Sequence, residues 1–485
     1  MTSHRQIFRS SSIIGAASVI NIVFGIVRVK VLAVMLGPVG VGLMGLYQNI
    51  MGIASTLAGC GVNSSSVRQL AASVGEAETL AIVRRALWLG NITLGIAGMV
   101  ILWLLRESVA MWVFGDTSHA REVGWLGLGL LLTLIAGSQT ALLQGLRRIS
   151  DMALVSIISG FVGASLGILA ISLLRENGII WFVLTAPAVN MLVVSYYTAR
   201  LPRPQAPYDL VAIQQQWLIM LKLGIPLMAA SLLTLAVQLA VRSIVLRELG
   251  LEASGYFQAA LVISMSYIGF VLSAMSTDYY PRLTAAINEH ERARKLVNEQ
   301  AEMALLLTGP VLLSMITLAP WVIHILYAES FGPAAVLLRW QVLGDIIKIA
   351  AWPMGFIIVA AGRGSIFIGT QLVWNMIYLG VVFFGIHVIG LTVVGVGYWL
   401  AYLIGLGVNA IVTNKIIGFE LALENLKLTL MLLIASGFIM LLSSQSVATG
   451  YVVGLLLTLV ASVYSFRRLD VLLDLRSLFK RLFNS

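Results

Sequence analysis

The chain has 485 residues, 59% of them hydrophobic and 11% charged, with a formal net charge of +10. A soluble domain carries roughly 25% charged residues, and no soluble fold hides this much apolar surface, so the bilayer must be part of the solvent. The positive balance does not point to nucleic acid, because the basic residues sit at the ends of apolar segments, where they act as topology signals.

A span of ~30 Å of hydrocarbon needs about 20 apolar residues. The N-terminal residues, Met-Thr-Ser-His-Arg-Gln-Ile-Phe-Arg, lead into a first segment near 12–36. It is too long for a cleavable signal core and no small-residue cleavage site follows, so it reads as a retained helix. Further segments follow near 39–62, 83–105, 122–146, 151–174, 177–199, 218–246, 252–277, 302–328, 333–361, 364–387, 390–414, 427–443 and 448–466. The sequence therefore predicts an all-α polytopic membrane protein of about 14 transmembrane helices. An even number puts both termini on one side. With that side inside, the inner segments hold 22 of the 31 Lys and Arg residues, and the outer loops with the adjoining outer helix ends hold only Arg106, Arg121, Arg175, Arg242 and Arg247. This bias predicts cytoplasmic termini. The single cysteine, Cys60, cannot form an internal disulfide and reads as a small buried residue.

The chain repeats itself. Arg28, Leu36-Gly37, Gly42, Gln48 and Arg68-Gln-Leu-Ala-Ala recur in order as Arg242, Leu249-Gly250, Gly255, Gln258 and Arg282-Leu-Thr-Ala-Ala. Phe114-Gly115 recurs as Phe331-Gly332, Gly145-Leu-Arg147 as Gly362-Arg363, and Asn190 as Asn409. Segments one to six and seven to twelve are thus two like-oriented six-helix lobes, 1–200 and 218–418, with a substrate path expected between them. The proline-bearing stretch 201–217 is the linker, 419–466 holds two added C-terminal helices, and 467–485 is a cytoplasmic amphipathic tail.

The Leu-Gly-Pro-x-Gly-x-Gly stretch at 36–42 and Phe-Gly-Pro-Ala-Ala-x-Leu-Leu-Arg-Trp-Gln at 331–341 resemble the multidrug/oligosaccharidyl-lipid/polysaccharide exporter superfamily, whose fold is the MATE-like one. Trp340 to Lys348, Tyr280 to Thr284 and Gln144 to Arg148 look like its Wzx-type flippases of O-antigen and enterobacterial common antigen units. The resemblance covers the first twelve helices; the last two depart from it. It implies an undecaprenyl-pyrophosphate-linked glycan as substrate, alternating access, residence in the bacterial inner membrane, and polysaccharide-assembly proteins such as a polymerase or chain-length regulator as neighbours. It implies no cofactor.

Charges at mid-bilayer cost roughly 2.5–3.5 kcal/mol each on insertion scales, so they face a cavity or a partner. Arg28 and Lys30 lie in the first segment, Arg242 in the seventh, and Arg339, Asp345 and Lys348 in the tenth. They suggest a cationic cavity for a pyrophosphate, which the fork of an arginine suits. The alternatives are snorkelling for Arg28 and Lys30, a rim position for Arg339, and a structural ion pair for Asp345 and Lys348, which are three apart on one helical face. Asp345 is also a candidate for proton coupling. Tyr47, Gln48, Gln258 and Gln341 are candidate sugar contacts, with helix–helix contact as the plain alternative.

Other signals are weaker. Gly40-Val-Gly42-Leu-Met-Gly45 matches a dinucleotide pattern, but no strand precedes it and close helix packing explains it. His324 and His387 have no ligand partners at metal spacing. Pro226, Pro310, Pro320 and Pro353 predict kinks or hinges. A surface helix is expected over Ala285 to Glu299, and an amphipathic one over 466–479. Competing functions are a lipid II flippase, a drug or ion antiporter, which would want an acidic cavity, and a membrane glycan polymerase. The last would need a large external domain and catalytic carboxylates, and neither appears.

Overall fold

In the computed structural model, residues 3–202, 207 and 209–473 are described, with side chains from Ile20 onward except at 227, 230, 270, 273, 274 and 276–278. The described residues are helical, in the order α1 (Ser3–Gly59), α2 (Val62–Ala72), α3 (Ala77–Leu104), α4 (Arg106–Phe114), α5 (Ala120–Gly145), α6 (Ile149–Leu174), α7 (Ile179–Ala199), α8 (Leu210–Ala286), α9 (His290–Leu326), α10 (Ala334–Ala360), α11 (Gly364–Ile389), α12 (Thr392–Ile417), α13 (Leu423–Gln445) and α14 (Val447–Leu473). Ten helical stretches are long and apolar enough to cross a membrane, or up to eleven if the bent pair Leu210–Pro226 and Ser231–Gly269 is one span. Their outer faces expose residues such as Leu104, Phe384, Val388 and Ile434, which only a hydrocarbon solvent tolerates in such number. The protein is an all-α multi-pass membrane protein.

Glycines set the breaks between adjoining segments. Within α1, Gly37 takes φ 61 and ψ −161, and within α8, Gly250 takes φ 86 and ψ 177, values that side-chain-bearing residues avoid. These breaks fall between the first and second, and the seventh and eighth, of the expected segments. A 3₁₀ turn at Arg175–Gly178 separates the fifth from the sixth.

Contacts divide the chain into two compact units. The first is Met1–Gly255 with Leu326–Ala328; the second is Tyr256–Ile325 with Glu329–Ser485. In the first, Val62, Leu70, Val83, Leu87, Leu143 and Met220 form a buried cluster. The two glycine breaks of the repeat meet inside it. A Cβ on Gly42 would lie 2.7 Å from the Leu251 carbonyl oxygen, and one on Gly255 would overlap the Pro38 carbonyl. Gly61 and Gly224 approach each other in the same backbone-to-backbone manner. The Gly40–Gly45 motif thus serves packing.

In the second unit, α10 is the most enclosed of the spans. Tyr279, Leu283, Val297, Ile357, Ile417 and Phe419 form a buried cluster there. This cluster explains a departure from expectation. Ala285 and Ala286 end α8, and His290–Leu326 is one continuous helix, so residues 290–299 extend the ninth span and make no separate surface helix. Ala293, Val297, Ala301 and Ala304 recur at helical spacing and are buried, which carries the helix through the charged run without a break. The amphipathic helix expected at 466–479 is described as far as Leu473, where it continues α14; residues 474–479 lie outside the described residues.

Candidate functional site

A concentration of buried polar groups lies in the second unit. Asp345, on α10, is fully buried. Its carboxylate accepts hydrogen bonds from Ser264 Oγ at 2.6 Å and Tyr267 at 3.1 Å, both on Oδ2, and from Tyr398 at 2.8 Å on Oδ1. Lys348 Nζ donates to the same Tyr398 hydroxyl at 3.4 Å. The expected Asp345–Lys348 association therefore runs through Tyr398, which donates one way and accepts the other. A buried charge survives in a membrane helix only with such a set of partners.

Lys348 faces a cavity of ≈ 290 Å³. The helical period explains its α10 wall. Lys348, Trp352, Gly355, Phe356 and Val359 recur at i, i+4, i+7, i+8 and i+11, which is one stripe of the helix. Facing them are Gln371 and Trp374 from α11 and Tyr402 and Asn409 from α12. Two aromatic clusters flank the space. Trp374 stacks with Tyr378 at 5.9 Å and tilts against Tyr402 at 5.0 Å, and Trp352 meets Phe356 at 4.9 Å and Tyr279 at 6.0 Å. The Lys348 ammonium lies 5.6 Å from the Tyr402 ring centroid, within cation–π range. The buried indole N–H of Trp374 has no acceptor among the described residues.

The other expected cations are placed differently. Arg339, also on α10, donates from Nε to the Ile316 carbonyl at 3.0 Å. Pro320, four residues after Ile316, has no N–H to fill that carbonyl, so the guanidinium does. In the first unit, half-buried Arg28 lies over the Phe182 ring at 4.1 Å and donates to the Phe182 carbonyl and to Thr185 Oγ1. Gly167 leaves room for it: a Cβ there would lie 3.1 Å from the Arg28 Nε. Arg242 is buried and Lys30 half-buried. Tyr47 is buried with its hydroxyl 3.0 Å from His119 Nδ1, whereas Gln48 is exposed. Gln258 is buried, and the buried Gln341 amide has no partner among the described residues.

The first unit holds a larger cavity, ≈ 760 Å³, whose lining includes Arg84, Arg85, Gln139, Ser195 and Thr198. Arg84 reaches the carbonyls of Thr198 and Pro202, at the end of α7, and Arg85 that of Pro207. These arginines cap a helix C-terminus and hold the start of the linker. Sequence reasoning took Arg84 and Arg85 as topology signals only. It also missed Tyr398, Tyr402 and Trp374. The available signal was aromatic spacing of four, Trp374/Tyr378 and Tyr398/Tyr402, on the helices that follow the charged one.

Residues 31–336 match the model of a family described as "Polysaccharide biosynthesis protein". The chain belongs to this family. It is also similar to the lipid III flippases of Escherichia coli (strain K12) and Shigella flexneri, at 23% identity over 354 residues, which is 71% of this chain and 83% of each relative. Among solved structures, it resembles an inward-facing multidrug resistance MATE family transporter of the MOP superfamily with a TM-score of 0.70 and 17% identity, covering 82% of this chain and 95% of the other. It resembles lipid II flippase MurJ, inward closed, with a TM-score of 0.68 and 13% identity, over 94% of this chain and 98% of that one. At these identities the structural likeness establishes the fold: a MATE/MurJ-like arrangement of membrane helices.

Proposed function

We propose that the protein is a flippase that moves an undecaprenyl-pyrophosphate-linked oligosaccharide from the cytoplasmic to the periplasmic leaflet of the bacterial inner membrane. The observation that carries this reading is the family match together with the similarity to lipid III flippases over most of both chains. Its physical counterpart is the hydrogen-bonded Asp345–Tyr398–Lys348 group at a cavity inside an otherwise apolar bundle. A membrane helix retains such groups for a polar cargo or a coupling step.

In this reading both termini are cytoplasmic, as the distribution of Lys and Arg supports. Arg28, Lys30 and Arg242 supply the positive charge of the first unit for the pyrophosphate, Arg by its fork of donors. The two six-helix repeats, 1–200 and 218–418, provide alternating access. Polysaccharide polymerase and chain-length proteins take the exported unit onward. The test is deletion of the gene. Undecaprenyl-linked glycan should accumulate facing the cytoplasm and disappear on complementation; normal surface polysaccharide in the deletion strain would overturn the reading.

A further inference from the structure

The ≈ 290 Å³ cavity of the second unit has a chemistry of its own. It lies at the lower end of ligand-pocket sizes, about 300–1,000 Å³, which is room for one ring and not for a whole oligosaccharide. Its charges balance: Lys348 is tied through Tyr398 to Asp345, so little net positive charge is left to hold a dianion. Its lining also includes the aromatic residues Trp352, Phe356 and Trp374 and the neutral amides Gln371 and Asn409, beside small and aliphatic residues such as Ala351 and Val359. A Cβ on Gly355 would meet nothing within 4 Å, so the α10 wall is bare at its centre.

We infer that this cavity is a subsite for one uncharged sugar ring of the transported glycan. A pyranose has an apolar C–H face, which suits the negative face of an aromatic ring, and an edge of hydroxyls, which suits carboxamides and an ammonium. Trp374 and Tyr402 supply the face; Gln371, Asn409 and Lys348 supply the edge. This moves Lys348 from the pyrophosphate, for which the sequence suggested it, to the sugar. The inference rests on the flippase reading and adds to it where in the chain the glycan is read.

The test uses the full chain in lipid nanodiscs. Cys60→Ser removes the only cysteine, and Thr370→Cys then puts a single thiol on the cavity wall. The probe is the oligosaccharide released by mild acid from the lipid-linked material of the deletion strain. At twice its dissociation constant it should slow maleimide labelling of that thiol about threefold, by simple occupancy. Gln371→Ala with Asn409→Ala should remove the protection, and Trp374→Ala, which removes the ring, should weaken it. Inorganic pyrophosphate should give none. Equal protection by pyrophosphate, or none by the oligosaccharide, overturns the subsite while leaving the flippase reading intact. A deletion strain that accumulates no lipid-linked glycan overturns both.

Discussion

Arg339 Nε donates a 3.0 Å hydrogen bond to the carbonyl of Ile316, the carbonyl that Pro320 leaves without an intrahelical donor. The relationship joins α10 to α9 inside the second unit. In hydrocarbon an unfilled carbonyl has no water to turn to, so the arginine has a structural task whatever else it does.

That task can be measured. Arg339→Ala should destabilise the protein by about 1–3 kcal/mol, the loss expected for a buried acceptor left without a partner. In a Pro320→Ala background, where residue 320 regains its N–H, the same substitution should cost much less. Thermal unfolding of the four proteins of this cycle in detergent gives the coupling. Additive effects would show that Arg339 acts elsewhere.

The glycine contacts of the first unit make a second prediction. Gly255→Ala would push a methyl group into the Pro38 carbonyl, and Gly42→Ala one into the Leu251 carbonyl, both backbone atoms that cannot turn aside. Overpacking of this kind costs typically about 1–3 kcal/mol. Gly52→Ala, at a position where a Cβ meets nothing within 4 Å, should be neutral or slightly stabilising by helix propensity. Melting temperatures and monodispersity on size-exclusion chromatography check the contrast. Equal behaviour at positions 52 and 255 would refute the close approach.

The membrane fold was legible in the sequence because its signal is one-dimensional: about 20 apolar residues make a span wherever they occur. Each expected segment lies on helix, and the Gly37 and Gly250 breaks fall where the repeated Leu-Gly stretches put them. The site was legible only in part. Asp345 and Lys348 stand out because charge is rare in such helices. Tyr398 does not, since a tyrosine in an apolar helix is as often an interface anchor, and only the packing of α12 on α10 brings its hydroxyl to Asp345. Arg339 looked like a substrate cation. Its partner is a backbone carbonyl on another helix, and side-chain types carry no record of that. The surface helix expected at 285–299 failed for a related reason: the charges are visible, but the alanine and valine stripe that buries the opposite face matters more.

Asp345 and Lys348 should be energetically coupled through Tyr398. Asp345→Asn turns a triple acceptor into an amide facing three hydroxyls and leaves Lys348 without its counter-charge. Lys348→Met leaves the carboxylate uncompensated. Each should destabilise by about 1–3 kcal/mol, because removing one member of a buried charged network leaves the other unpaired. The double variant should lose less than the sum. Complementation of the deletion strain separates stability from transport: a stable double variant that fails to export glycan assigns the pair a role in the cycle. A double variant whose loss equals the sum of the singles would show that the two residues act independently.

Gly355 offers the most direct approach to the cavity. A glycine in the interior of α10 costs about 1 kcal/mol of helix stability relative to alanine, and nothing packs on it that would need the space. Substitution should therefore raise the melting temperature slightly while filling the ≈ 290 Å³ cavity from its α10 wall. Transport should fall in the order of side-chain volume, Gly355→Leu below Gly355→Ala, with membrane insertion intact. The lipid-linked glycan that accumulates behind each variant measures the block. If Gly355→Leu folds, inserts and exports as the parent does, the cavity plays no part in carrying the substrate.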